Sequence, residues 1–163
     1  MKKIVAVSLL SIGLLLFVAR GQHSVSSLKA PVFKKDTISI ATAGAKGDGV
    51  FSNTAIIQQS IDKLAARGGG VVYIPGGTWK TGPIELKSRI NLHLATGALL
   101  IFSSDFSDYP LVEGNWEGLP QMRNQSPISA INQTDIAITG KGIIDGNGDA
   151  WRMVKKEKLT EGQ

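Results

Sequence analysis

No cysteine occurs in this chain of 163 residues. That excludes a disulfide framework, a thiolate metal site and the lipid-bearing cysteine of a lipoprotein anchor. Long apolar runs are also scarce. The one extended run, Ile4 to Val18, is interrupted by Ser8, Ser11 and Gly13, and it falls short of the roughly 20 residues that span a bilayer. Basic clusters are nearly absent: Lys155-Lys156-Glu157-Lys158 is a small run that reads as a solvated end rather than a nucleic-acid surface. The glycine-rich stretch Ala43 to Val50 lacks the Gly-Lys-Ser/Thr ending of a phosphate loop and the spacing of a dinucleotide site. It reads as a structural turn.

What is present begins with an export pattern. Lys2-Lys3 precedes the apolar run, and Ala19-Arg20-Gly21 places small residues where a signal peptidase reads. Residues 1–21 are therefore expected to be a cleavable signal peptide, cut after Gly21, directing the protein to the periplasm or outside the cell. Loss of Lys2, Lys3 and Arg20 lowers the formal net charge from +5 to +2, so much of the basic character belongs to the leader. Residues 22–36, containing His23, read as an extended linker.

From residue 37 the chain reads as one domain. Thr37 to Thr42 suggests a first strand, with Ile38 and Ile40 alternating against Ser39. Thr54 to Arg67 is the one good helix. Ile57, Ile61, Leu64 and Ala65 form its apolar stripe, the Asn53 side chain is expected to cap a first-turn N–H, and Gly68 supplies the left-handed residue that ends it. A ladder of very short apolar runs follows, from Val71 to Phe102. Ile84, Leu86, Ile90, Leu92 and Leu94 are expected on one face, with Glu85, Asn91 and His93 on the other. Ser103 to Pro127 is polar and irregular, a loop length that is often functional. Strand-like runs resume at Ile128 to Ile131, Ile136 to Thr139 and Ile143-Ile144. Periodicity alone leaves sandwich, barrel and solenoid open; a helix before a strand ladder suits the capped end of a solenoid.

Several stretches carry a family resemblance. Gly47-Asp48-Gly49 with Asn53-Thr54-Ala55-Ile56, and Gly68-Gly69-Gly70-Val71-Val72-Tyr73-Ile74-Pro75-Gly76-Gly77, resemble the start of β-helix pectin-degrading enzymes. Gly82 to Ser88, Leu92-His93-Leu94 through Leu100, and Ile138 to Gly148 narrow this to glycoside hydrolase family 28, the polygalacturonases, as do Asp108-Tyr109-Pro110 and Trp116-Glu117-Gly118. The resemblance covers about residues 37 to 152. It implies an all-β fold, a right-handed parallel β-helix (a pectin-lyase-like solenoid) with an N-terminal capping α-helix, truncated, so that 37–163 holds the first turns of a glycosidase domain. It also implies hydrolysis of α-1,4-galacturonide linkages in pectin with inversion, on a pectic polysaccharide or oligogalacturonide, and without cofactor or metal.

The family's catalytic motifs, Asn-Thr-Asp, Asp-Asp, Gly-His-Gly and Arg-Ile-Lys, do not occur here. Asn53-Thr54 is followed by Ala55, and Arg89-Ile90 by Asn91. The catalytic residues are therefore expected downstream of Gln163, and the chain alone is expected to be inactive. Tyr109 and Trp116 are candidates for stacking on sugar rings and Arg123 for meeting a carboxylate; the competing reading is that the aromatics pin the loop. Asp145 and Asp149, a close carboxylate pair in an Asp-Gly-Asn-Gly-Asp stretch, are weighed as catalytic groups; the stretch also opens like a calcium loop but lacks its Gly at Ala150 and its Glu at Lys156. The simpler reading is that Asp145 and Asn147 bond their own turn. Two rival functions fit the same fold: a calcium-dependent pectate lyase-like enzyme and a non-catalytic carbohydrate-binding or adhesin solenoid.

Overall fold

A computed structural model describes residues 30–152. The expected signal peptide with its cut after Gly21, most of the linker and the run Lys155–Lys158 lie outside the described residues. Twelve strands and one α-helix are present among those described. They form a right-handed parallel β-helix, in which each coil places one strand on each of up to three faces.

The first face stacks β1 (Thr37–Ser39), β3 (Gly70–Ile74), β6 (Ile90–Leu94) and β11 (Ala137–Gly140) in parallel. The second stacks β2 (Asp48–Ser52), β4 (Gly77–Thr81), β7 (Ala98–Phe102) and β12 (Ile143–Asp145), also in parallel. The third is short, pairing β5 (Ile84–Glu85) with β10 (Ile128–Ser129). Strands two to five residues long suffice because successive coils sit directly on one another. Each backbone edge inside the stack is then consumed by the coil above or below.

In-register stacking turns alternation along a strand into ladders across the coils. Val72, Leu92 and Ile138 share one rung, and Trp79, Leu100 and Ile144 another. Ile74, Ile84, Ile90, Leu92, Leu100 and Phe102 are buried, while Glu85 is exposed and Asn91 and His93 half-buried. The inward and outward sets expected from the sequence are both as read. Outside the first face, Tyr73 stacks on His93 with centroids 5.8 Å apart and planes at 11°. His93 Nδ1 lies 2.9 Å from Thr139 Oγ1, whose hydroxyl donates to Asn91 Oδ1. His93 is thus a member of a polar ladder.

The helix α1 (Thr54–Ala66) covers the end of the stack that carries β1 and β2. Ile57, Ile61 and Leu64 enter the core. Its polar stripe has a second task. Thr54 Oγ1 accepts from the Gly82 N–H at 2.6 Å, and the Gln58 amide both accepts from the Glu85 N–H at 2.9 Å and donates to the Glu85 carbonyl at 3.1 Å. Asp62 then meets Lys87 Nζ at 2.8 Å. Residues at i, i+4 and i+8 therefore run along β5 and occupy its edge as a neighbouring strand would. The helix ends in a paired C-terminal motif: the Gly69 N–H bonds the Leu64 carbonyl and the Gly68 N–H the Ala65 carbonyl. Gly68 takes the left-handed φ of +89° that the motif requires at this position, and Gly69 follows at +104°. Gly70 is needed for a different reason, since a Cβ there would collide with Leu64 Cδ2 and the Asp36 carbonyl.

Four expectations need correction. Asn53 sits before the helix, but its side chain makes no cap. It is buried, accepts from the Lys46 N–H, and donates to the carbonyls of Lys46, Phe51 and Lys80. Pinning the glycine-rich loop uses the side chain completely. The loop itself is shorter than expected, because β2 begins at Asp48, and β4 was hidden behind the turn residues Pro75-Gly76-Gly77. Finally, the irregular stretch 103–127 contains a regular hairpin.

Candidate functional site

The excursion between β7 and β10 begins with a 3-10 turn at Phe106–Asp108. Asp105 Oδ1 accepts from the Ser107 hydroxyl at 2.7 Å and its N–H at 2.9 Å, and these bonds hold its carboxyl below the usual range. Tyr109 follows. It is only 3% exposed, and its hydroxyl donates to the Ser103 carbonyl at 2.8 Å. Burial, with a smaller contribution from Asp108, raises its pKa. The excursion closes where the Gln125 N–H bonds the Pro110 carbonyl at 2.9 Å and the Asn124 amide reaches the Tyr109 carbonyl at 3.3 Å. Its base is therefore fastened to the solenoid.

Beyond the base stands the hairpin of β8 (Leu111–Trp116) and β9 (Leu119–Asn124), paired antiparallel. Glu117 and Gly118, both at positive φ, make its two-residue turn. All twelve strand residues are exposed. Directly opposed residues share a face, so Val112, Gly114 and Trp116 lie with Arg123, Gln121 and Leu119. Gly114 has no side chain to obstruct the Arg123 stem, which crosses it and brings the guanidinium 4.7 Å over the Trp116 ring. Arg123 Nη1 also donates to the Asn115 carbonyl at 3.3 Å. The result is an exposed indole, 53% accessible, with a fixed cation upon it.

The three sequence candidates thus separate. Trp116 and Arg123 are brought together on an accessible face, whereas the burial and hydrogen bond of Tyr109 make it an anchor that offers no ring face to a ligand. A cavity beside β9 was not legible in the sequence. Along β9 and the segment after it, Gln121 to Pro127 form one wall of a cavity of about 550 Å³ whose other wall is Gly146, Gly148 and Trp151. Trp151 is held edge-to-face by Phe106 at 4.4 Å and Tyr109 at 4.8 Å between centroids, and its Nε1 is buried with no hydrogen-bond acceptor among the described residues. This packing fixes Trp151 as part of the cavity wall.

Asp145 and Asp149 have other partners. Asp145 Oδ1 accepts from the Asn147 N–H at 2.8 Å, as an aspartate bonding its own turn does, and Asp149 meets Arg152 at 3.3 Å. Asn147, in the left-handed conformation, donates to the Phe102 carbonyl at 3.3 Å and so ties this turn to β7.

Comparison with known proteins agrees with this architecture. Residues 37–99 match the family described as "Rhamnogalacturonase A/epimerase, pectate lyase-like". An exo-poly-alpha-D-galacturonosidase of Dickeya chrysanthemi is 41% identical over 71% of this chain, which corresponds to 20% of that protein. Among solved structures, the exopolygalacturonase of Thermotoga maritima aligns with a TM-score of 0.67 at 32% identity, covering 73% of this chain and 27% of its own. The Family 28 exopolygalacturonase of Yersinia enterocolitica aligns at 0.64 and 38% identity, covering 70% and 21% respectively. The chain spans about a fifth to a quarter of the length of these relatives. Over most of its own length the chain is homologous to polygalacturonases of glycoside hydrolase family 28, and it shares their right-handed parallel β-helix fold.

Proposed function

We propose that this chain is part of a secreted or periplasmic glycoside hydrolase that cleaves α-1,4-galacturonide linkages in pectin with inversion. The observation that carries the reading is the likeness, in both sequence and fold, to proteins named as exopolygalacturonases. Export rests on the leader pattern of residues 1–21. Among the described residues no helix is long and apolar enough to cross a membrane.

The chemistry needs an acid for the leaving oxygen and a base for the attacking water, held ~6.5–9.5 Å apart. Asp145 and Asp149 are occupied by a turn and an arginine, so we place the catalytic carboxylates downstream of Gln163 in the longer protein. The contribution of this chain is scaffold and substrate contact. Galacturonate pairs a ring face with a carboxylate, and Arg123 stacked on Trp116 offers an exposed guanidinium backed by an indole.

The test is to express the 163-residue chain and any in-frame continuation of its gene, and to assay both on polygalacturonate. The continued chain should release reducing ends without forming an unsaturated product, and the 163-residue chain should release none. An unsaturated product would replace the hydrolase with a lyase. Release of reducing ends by the shorter chain would refute the downstream placement of the acids.

A further inference from the structure

We propose that the cavity between β9 and the turn after β12 is a sugar subsite continuous with the Trp116–Arg123 pair. This inference rests on the galacturonide reading above and specifies where one residue of the substrate chain lies. The cavity, about 550 Å³, falls within the range of small-molecule sites. Its lining suits a sugar ring: the half-buried indole of Trp151 supplies an apolar wall, and Gln121, Gln125 and Ser126 supply amide and hydroxyl groups that exchange hydrogen bonds with ring hydroxyls. Among the described residues no carboxylate lines it.

Arg123 links the cavity to the exposed face of the hairpin. It borders the cavity, yet its guanidinium lies over Trp116 and on the Asn115 carbonyl. One sugar in the cavity and the carboxylate of its neighbour at the guanidinium would therefore be held by a single, pre-arranged element. The walls are fixed independently of any ligand. Trp151 is wedged against Phe106 and Tyr109, Tyr109 is tied to Ser103, and Asn147 is tied to Phe102. Such a site has little ordering cost left at binding.

The floor glycines provide a direct test. A Cβ built on Gly146 or Gly148 meets no atom within 4 Å, and neither residue has positive φ. Gly146→Leu and Gly148→Leu should thus fold as the parent does and fill cavity space. Binding of trigalacturonate to the 163-residue chain would be titrated by calorimetry at low and raised salt, with the thermal transition of each variant measured alongside. We expect binding that either leucine weakens at least about tenfold, while Arg123→Gln weakens it by a similar factor and removes its salt dependence. Loss of affinity in Arg123→Gln with no effect of either leucine would overturn the cavity while leaving the hairpin contact standing. Loss in the leucine variants alone would support the cavity and remove Arg123 from the substrate contacts. A folded parent chain that binds no trigalacturonate would overturn both.

Discussion

The two ends of the described solenoid differ in how far they cover the core. At the end carrying β1 and β2, α1 inserts Ile57, Ile61 and Leu64 into the core and lays Thr54, Gln58 and Asp62 along the edge of β5. At the other, β11 and β12 are the outermost strands of their sheets, and Ile138, Ile143 and Ile144 are exposed. A ladder rung does not bury itself. Val72 and Leu92 are fully buried, whereas Ile138, on the same rung in the same register, is 47% exposed. Stability at each level of a stacked fold is therefore set by its neighbours, as in other solenoids.

Cutting the same rung at two levels should break this comparison most strongly. Leu92 packs between Val72 and Ile138, and Leu92→Ala should cost about 2–5 kcal/mol through lost transfer and a residual cavity. Ile138→Ala should cost about 1 kcal/mol or less, because half its surface already faces solvent. Denaturant titrations of the two variants measure the difference directly. Equal costs would mean that Ile138 is covered in solution, for instance by association of chains through the β11 and β12 edges, and sedimentation would reveal it.

A subtler comparison concerns the helix as a substitute strand. Gln58→Ala removes an acceptor from the Glu85 N–H and a donor from its carbonyl while leaving Ile57 and Ile61 in place. The expected loss is about 1 kcal/mol, with amide exchange at Glu85 and Gly82 accelerated more than exchange in β6. If exchange rises equally throughout, the side chain stabilises the helix generally and is no edge cover.

The legibility of these features follows their burial. Where a strand has one face in the core, as from Ile84 to Leu94, alternation fixes both faces and the sequence announces them. β2 failed because none of its five residues is buried, so Asp48-Gly49-Val50 carries turn composition and no period. In β4, Trp79 and Thr81 point inward, and a buried threonine is silent in a hydrophobic pattern. The hairpin was invisible for the same reason as β2, though the two-residue turn Glu117-Gly118 was a local signal for it. In the proposed site, Trp116 and Arg123, close in sequence, are brought together by the hairpin. The cavity wall at Gly146, Gly148 and Trp151 meets β9 only through the coil geometry, and no spacing rule reaches across it.

The smallest expected effect sharpens the picture of the helix edge through pH. Burial raises the pKa of Asp62, but hydrogen bonds from Lys87 and Gln58, with the charge of Lys87, outweigh it and leave the carboxyl below its ordinary value of 3.8. A depressed folded-state value means that the folded chain releases this proton more readily than the unfolded chain does. The contribution of Asp62 is then fully present above the unfolded value, near pH 4, and is lost as pH falls through the lower folded value. Both partners of the ion pair are well exposed, so solvent and salt screen most of it. Asp62→Asn should therefore change stability little at neutral pH and flatten the pH dependence below about pH 4, an effect that raised salt should diminish further. If the slope below pH 4 is the same in both proteins, Asp62 contributes to the edge by hydrogen bonding alone. The closed end would then owe its polar cover to the neutral partners Thr54 and Gln58.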